Sequence, residues 1–309
     1  MGKLIVVIVG PTCSGKSNLS ISIAKKLKSE IISADSRQVY KYIDIGTAKP
    51  SKFELKEIPH SFIDTLELDE NFDVSSFEKQ ALVKIDNIIK NKVIPIVTGG
   101  SGLYVRALID GIVDLESDDE IREELFSKKE KFGNDYLYHE LEKVDSNAAK
   151  TMLPQNWKRV IRALEVFYLT GKSITDFHAK QNRQRTNYNF LQFGLNWKRE
   201  ILYKRIESRV DEMIKNGLVE EVKSILAKGY SETLNSLNSV GYKEIIAYLK
   251  NEVSLETAIS LIKRNTRRYA KRQLTWFRKD ERIHWFDFEN ELDLVKIKNE
   301  ILNKIKDMS

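Results

Sequence analysis

The chain has 309 residues, 41% of them hydrophobic and 31% charged, with a net charge of +6 and a pI near 9.0. That length can bury one large core or two modest ones, and the balance is that of a soluble globular protein whose basic surplus suits a polyanionic partner. The single cysteine, Cys13, excludes an internal disulfide or a thiolate metal cluster, and no apolar run near the N-terminus is long enough for a signal core or membrane span, so a cytoplasmic protein is expected.

In chain order, Lys3 to Val9 reads as a buried strand and runs straight into Gly10-Pro11-Thr12-Cys13-Ser14-Gly15-Lys16-Ser17. This is the phosphate-cradling pattern G-x(4)-G-K-[ST] in its strand-to-helix setting. Gly10 and Gly15 let backbone N–H groups turn toward an anion, the helix from Lys16 to Lys28 adds its positive end, and Lys16 supplies a point charge. The Ser17 hydroxyl sits where a Mg²⁺ bridging phosphate oxygens takes a ligand. A strand at Glu30 to Ser33 follows, and another short one is expected at Ser61 to Asp64. Asp73 caps a helix with Val74, Phe77, Ala81, Ile85 and Ile88 on one face, ending at Asn91-Lys92 before a strand at Val93 to Thr98. This alternation predicts an α/β class, a P-loop NTPase-like parallel sheet covered by helices.

After the acid-rich segment Asp114 to Glu120 the pattern turns helical. Leu137 to Lys150 and Trp157 to Leu169 are amphipathic, with Gly171 as C-cap. A basic stretch, Ala179 to Asn189, leads into a strand at Phe190 to Leu195, and a last strand is expected near His284 to Asp287. The resulting division is a first core part at 1–115, a helical insertion at 116–189, and a helical, basic return to the core at 190–309.

Two clusters at strand ends carry further chemistry. Asp35, in Asp35-Ser36-Arg37-Gln38-Val39-Tyr40, can take a proton from an acceptor nucleophile or orient Mg²⁺ through water. Ser36 and Gln38 offer groups that read a base edge, or that cap a turn. In Thr98-Gly99-Gly100-Ser101-Gly102-Leu103-Tyr104, three glycines allow close backbone approach and the Thr98 hydroxyl can orient a reacting atom. Between Lys263 and Arg282 nine Lys/Arg face two acids. Arg264, Arg268, Lys271, Thr275 and Arg278 share one helical face there, while Ala270, Leu274 and Phe277 lie on an inward one. The stripe is either a nucleic-acid contact or a solvated face.

Together, G-P-T-C-S-G-K-S, D-S-R-Q-V-Y with Asp44-Ile45-Gly46-Thr47-Ala48-Lys49-Pro50, and T-G-G-S-G-L-Y resemble the tRNA dimethylallyltransferase family. So do Arg162-Ala163-Leu164-Glu165-Val166, Arg205-Ile206 with Arg209-Val210, Gly217-Leu218, Val240-Gly241-Tyr242-Lys243-Glu244, and Tyr269-Ala270-Lys271-Arg272-Gln273 with Thr275-Trp276. The resemblance implies transfer of a dimethylallyl group from dimethylallyl diphosphate to N6 of the adenosine just 3′ of the anticodon, in tRNAs reading codons that begin with U. The phosphate loop would then hold the diphosphate with Mg²⁺, and Lys16 and Arg209 would stabilise the leaving charge. Asp35 would act as base and Thr98 as orienting partner. The target base must be turned out of the anticodon loop, to be held by Asp35, Ser36, Arg37, Gln38 and Thr98. The family often has a hydrophobic residue where this chain has Arg37.

By the same resemblance, Arg122 and the segment Lys158, Arg159, Val160, Ile161 and Arg162 contact tRNA, and the stripe after Lys263 meets backbone phosphates. Arg162 also fits a salt-bridging helix position, and Arg209 a clamp at the core edge. The implied partners are tRNA through its anticodon stem-loop and dimethylallyl diphosphate, with no membrane and a monomeric enzyme. A small-molecule kinase, a prenyltransferase acting on free adenine nucleotides, and a non-catalytic RNA-binding switch would share the phosphate loop; the insertion and the basic C-terminal half favour RNA as acceptor.

Overall fold

Residues Ile5 to Val9 are fully buried, on both faces of a parallel sheet. The computed structural model describes residues 3–112, 115, 118–180, 187–290 and 293–308. Residues 114, 116 and 117 of the acid-rich segment and 181–186 of the basic stretch lie outside the described residues. Strands β1 (Lys3–Val9), β2 (Ile31–Ser33), β3 (His60–Ser61), β4 (Ile96–Gly99), β5 (Tyr188–Trp197) and β6 (His284–Phe288) pair in the order 3-2-4-1-5-6. All of these pairings are parallel, as the sequence reading expects of a P-loop core.

The chain divides into two compact units. The first comprises Met1–Ile109 and Arg185–Ser309. It holds the sheet with α1 (Lys16–Leu27), α2 (Lys52–Glu57), α3 (Val74–Lys90) and nearly all of α4 (Gly102–Asp110). The second, Asp110–Gln184, holds α5 (Asp119–Phe132), α6 (Asn134–Val144), α7 (Ser146–Ala149), α8 (Trp157–Thr170) and α9 (Ile174–Lys180). The first unit then resumes with α10 (Arg199–Lys215), α11 (Leu218–Ala227), α12 (Tyr242–Leu249), α13 (Leu255–Phe277) and α14 (Asp293–Met308). No helix among the described residues is long and apolar enough to cross a membrane.

Side chains alternate across each strand, so β1 feeds two cores. Ile5, Val7 and Val9 join Phe77, Tyr242 and Ile262 on one face, while Val6 and Ile8 join Leu19, Ile206 and Ile301 on the other. The parallel register sets Ile8 opposite Thr98, and Thr98 opposite Ser33. The loops following β1, β2 and β4 therefore leave the sheet along one edge, the carboxyl edge where open α/β sheets bind ligands.

Several boundaries differ from expectation: the strand expected at Phe190 to Leu195 runs from Tyr188 to Trp197, and the helical unit spans Asp110–Gln184 rather than 116–189. The strand after Lys92 starts at Ile96, because Pro95 has no N–H to donate to the ladder. The strand expected at Ser61 to Asp64 is His60–Ser61, ended by the left-handed conformations of Phe62 (φ 66°) and Asp64 (φ 53°). The helix expected over Leu137 to Lys150 breaks at Asp145, whose carboxylate caps α7 by accepting from the Ala148 amide at 3.0 Å.

Candidate active site

The phosphate loop leaves β1 at Gly10 and enters α1 through Gly15, whose φ of 86° is readily adopted only without a Cβ. Protein donors hold its carbonyls. Lys16 Nζ donates to Pro11 O (3.3 Å), Arg205 Nε to Cys13 O (2.9 Å) and Trp197 Nε1 to Ser14 O (2.9 Å). The Thr12 amide goes to Gln273 and the Ser14 amide to Pro11 O (3.3 Å), so an anion would meet the amides where the loop enters α1. Arg205 stacks on Trp197 at 4.5 Å. One turn later on α10, Arg209 lies beside Cys13, with Nη1 3.7 Å from Sγ.

Two cavities adjoin at this loop. The first, of about 360 Å³, is lined by Thr12, Cys13, Lys16 and Ser17, by the whole run Asp35 to Gln38, and by Thr98 and Arg209. The structure thus gathers these sequence-predicted residues around one space. The second, of about 470 Å³, shares Cys13, Lys16, Ser17, Ala48 and Arg209 and adds Lys49 and Arg205.

Charge in the first cavity is lopsided. Asp35 is the only carboxylate among its lining residues, against Lys16, Arg37, Arg209, Lys243 and Arg272. Desolvation lowers the pKa of the part-buried Lys16 ammonium from its ordinary value; Arg209 adds to the shift, while Asp35 and Cys13 oppose it. Burial, with Asp35 contributing, pushes the Tyr269 phenol up to about 12, so it stays neutral. Ile206, Val210, Met213, Val240 and Ile262 add an aliphatic wall to the same cavity.

The predicted readers are themselves firmly held. Asp35 Oδ1 accepts from the amides of Arg37 (2.9 Å) and Gln38 (3.4 Å), which fixes the turn after β2. Gln38 Oε1 accepts from Ser33 Oγ at 3.2 Å, and its Nε2 donates to the carbonyls of Thr47 and Ala48 at 3.2 and 3.3 Å. Ser101 Oγ accepts from the Ser36 amide at 3.0 Å and donates to Ser36 Oγ at 3.3 Å. Thr98 Oγ1 donates to Ile8 O at 3.3 Å. Arg37 finds a partner in the carbonyl of Asn235 at 2.6 Å, which accounts for a cation at this position.

Other contributors have roles that the sequence does not disclose, because they depend on distant partners. Gln273 is buried on α13; its Oε1 accepts from the Thr12 amide (2.8 Å) and its Nε2 donates to Gly100 O (2.9 Å). The glycines of T-G-G-S-G-L-Y are required by these neighbours. An added Cβ at Gly99 would lie 2.1 Å from Ala34 O, at Gly100 2.2 Å from Gln273 Nε2, and at Gly102 2.1 Å from Trp276 Cδ1. The loop Asp44-Ile45-Gly46 is gripped by Glu221, which accepts from its three amides at 3.0, 2.7 and 3.2 Å and from the Tyr242 hydroxyl at 2.6 Å. Lys49 is buried against Tyr40 O, Asp44 and Asp64.

In the helical unit the predicted RNA contacts separate into two kinds. Lys158 and Arg159 are exposed. Val160 and Ile161, by contrast, are 0% and 4% exposed within the unit's own core, and their side chains pack rather than present themselves to RNA. Arg162 and Arg122 converge on Glu165, a fully buried carboxylate, at 2.7 and 3.0 Å, and the Asp118 amide donates to the same group at 3.0 Å. Arg162 also donates to Leu115 O at 2.8 Å. Arg162 thus occupies the salt-bridging helix position its sequence context allows, and Arg122 shares its counter-ion.

On α13 the stripe residues Arg264, Arg268, Lys271, Thr275 and Arg278 are all exposed, and Ala270 and Phe277 are buried. The face lining the cavity, at Ile262, Thr266, Tyr269 and Gln273, lies on the other side of the helix from the stripe.

The IPP transferase family model matches residues 38–280. A tRNA dimethylallyltransferase from Halothermothrix orenii is 45% identical over 305 residues, covering 98% of this chain and 93% of its own. One from a Thermoanaerobacter species is 48% identical, covering 96% of each. Among solved structures, the full-length tRNA isopentenylpyrophosphate transferase from Bacillus halodurans superposes with a TM-score of 0.72 at 40% identity, over 99% and 98% of the two chains. A eukaryotic dimethylallyltransferase solved acting on tRNA gives a TM-score of 0.81 at 30% identity, over 93% of this chain and 74% of that one. With a phosphate loop, a lone carboxylate and an aliphatic wall around one cavity, and full-length relatives of this kind, the chain belongs to the IPP transferase family.

Proposed function

We propose that this chain is a tRNA dimethylallyltransferase that moves the dimethylallyl group of dimethylallyl diphosphate to N6 of the adenosine 3′-adjacent to the anticodon, in tRNAs reading codons that begin with U, and releases diphosphate. The observation that carries this reading is the composition of one cavity: a phosphate loop, five cations, five aliphatic side chains and the lone carboxylate of Asp35. An isoprenoid diphosphate needs an apolar wall of this kind beside the charged loop.

Dimethylallyl diphosphate reacts by breaking its allylic C–O bond as the adenine N6 forms a bond to the same carbon. Negative charge grows on the departing diphosphate, where Lys16, Arg209 and the loop amides stabilise it. N6 gives up a proton as it becomes alkylated, and Asp35 accepts it; the two amides on Oδ1 hold the carboxylate in place. Thr98 orients the acceptor from the adjoining strand end. Ser17 and Asp35 line one cavity, and no cluster of three or more acidic, His or Cys ligands exists among the described residues. That donor set fits Mg²⁺, which takes one or two protein oxygens along with substrate phosphates and water. When bound there, Mg²⁺ neutralises charge on the leaving diphosphate.

We infer that the helical unit binds the anticodon stem through Lys158 and Arg159, and that one chain forms a complete, monomeric enzyme. The test is incubation with Mg²⁺, radiolabelled dimethylallyl diphosphate and an anticodon stem-loop bearing the adenosine, with AMP as rival acceptor and ATP as rival donor. Label confined to that adenosine is the expected result. Labelled AMP alone would make the chain an adenine-nucleotide prenyltransferase, and RNA binding without transfer would make it a non-catalytic switch.

A further inference from the structure

The wall that α13 contributes to the cavity does not stop where the cavity does. Ile262, Thr266, Tyr269 and Gln273 line it at one-turn spacing, and Trp276 is the next position on that face, roughly 4.5 Å farther along the axis. It lies beyond the cavity lining and is 41% exposed. The indole is fixed in place rather than loose. A Cβ at Gly102 would fall 2.1 Å from its Cδ1 and 2.4 Å from its Nε1, so the ring rests directly on the glycine-rich loop that also carries Ser101, the partner of Ser36. Arg272 stands four residues before Trp276, one turn earlier along the helix, is exposed like it, and also lines the cavity.

We propose that Trp276 is the stacking platform for an unpaired base next to the adenosine that enters the cavity, with Arg272 holding a phosphate of that strand. The inference rests on the proposed function. Turning one base out of a stacked loop deprives its neighbour of a stacking partner, and an exposed indole one turn beyond the cavity replaces it. Proteins that bind single-stranded RNA use this pairing of aromatic faces with guanidinium groups. The fixed ring gives the stacking surface at little entropic cost.

The test measures kcat/KM for three stem-loops: intact, and abasic at the 5′ or at the 3′ neighbour of the target. Wild type, Trp276→Ala and Trp276→Phe are compared, and the KM for dimethylallyl diphosphate is followed in parallel. Trp276→Ala should lower kcat/KM for the intact stem-loop by about 5- to 150-fold with the donor KM unchanged, and Trp276→Phe should restore most of it. An abasic nucleotide at one neighbour should cost the wild type a similar factor, and the two losses should not multiply. Multiplying losses at both neighbours would overturn the proposal. So would a wild-type enzyme indifferent to abasic sites at either neighbour, a result that needs no folded variant. In both cases, transfer to the intact stem-loop would leave the proposed function standing; absence of that transfer would overturn both.

Discussion

Gln273 accepts a hydrogen bond from the backbone amide of Thr12 at 2.8 Å, across 261 residues of sequence, while its other amide atom donates to Gly100. One buried side chain thus sets the distance between the phosphate loop and the glycine-rich loop. Gln273→Ala leaves a buried N–H and a buried carbonyl without partners, at about 1–3 kcal/mol for each such group. The expected outcome is a lower Tm by calorimetry together with a raised KM for the diphosphate donor.

Asp35→Asn keeps an acceptor oxygen for the amides of Arg37 and Gln38, so the turn after β2 should survive. Loss of the proton acceptor should slow single-turnover transfer by roughly 10²- to 10⁴-fold. RNA affinity measured by filter binding should stay within about threefold of wild type, by the same reasoning. Unchanged turnover would remove Asp35 from the chemistry.

Lys16 gives a pH signature whose sign is opposite to that of a salt-bridged lysine. Its pKa is lowered in the fold, chiefly by desolvation, so the unfolded chain binds the proton more tightly than the native one. Stability of the free enzyme should therefore rise with pH between the lowered value and the ordinary lysine value of 10.5, and Lys16→Met should flatten that rise. Affinity for the diphosphate should fall over the same window, because the ammonium that meets it is lost. Thermal melts and donor binding across that window check both halves.

In the helical unit, Arg162→Met and Lys158→Ala should behave differently. Removing Arg162 strips one partner from the fully buried Glu165, a change that costs roughly 3–5 kcal/mol for a lone pair and less here because Arg122 and the Asp118 amide remain. Its effect should appear as a lower Tm. Lys158 is exposed, so its loss should leave Tm unchanged and reduce the salt dependence of RNA binding by about one in slope.

Glu221 anchors three successive amides, from Asp44 to Gly46. Gly46→Ala would drive a Cβ to 2.4 Å from Tyr242 Cε2. Both Glu221→Ala and Gly46→Ala should displace the wall formed by Gly46, Thr47 and Ala48, raising substrate KM more than they lower Tm. A change in Tm alone would make the contact purely structural.

What could be read from the sequence follows from range. The phosphate loop is contiguous and its flanks are one strand and one helix, so eight adjacent residues disclose it. Asp35 and Thr98 could be read because a parallel sheet delivers strand ends to one edge. Gln273 and Glu221 act on partners far away in the chain, and no local spacing signals such contacts. Arg122 and Arg162 show a different obstacle: a cation's charge is visible in sequence, but its counter-ion Glu165 is recognised only once burial is known. The break at Asp145 was concealed by an apolar pattern that continues through it.

Among the helices, α13 is a shaft of 23 residues, about 35 Å long, with its functions distributed by angle. One side lines the cavity and braces both glycine-rich loops; the opposite side carries exposed cations. The angular phase between them is set by the helical pitch alone, not by any loop. Inserting a single residue after Thr266 would turn everything beyond it by about 100°. It would swing Gln273 away from Thr12 and Trp276 off Gly102, although every original side chain would still be present. The enzyme's tolerance for change along this helix is therefore a tolerance for substitution and not for altered length.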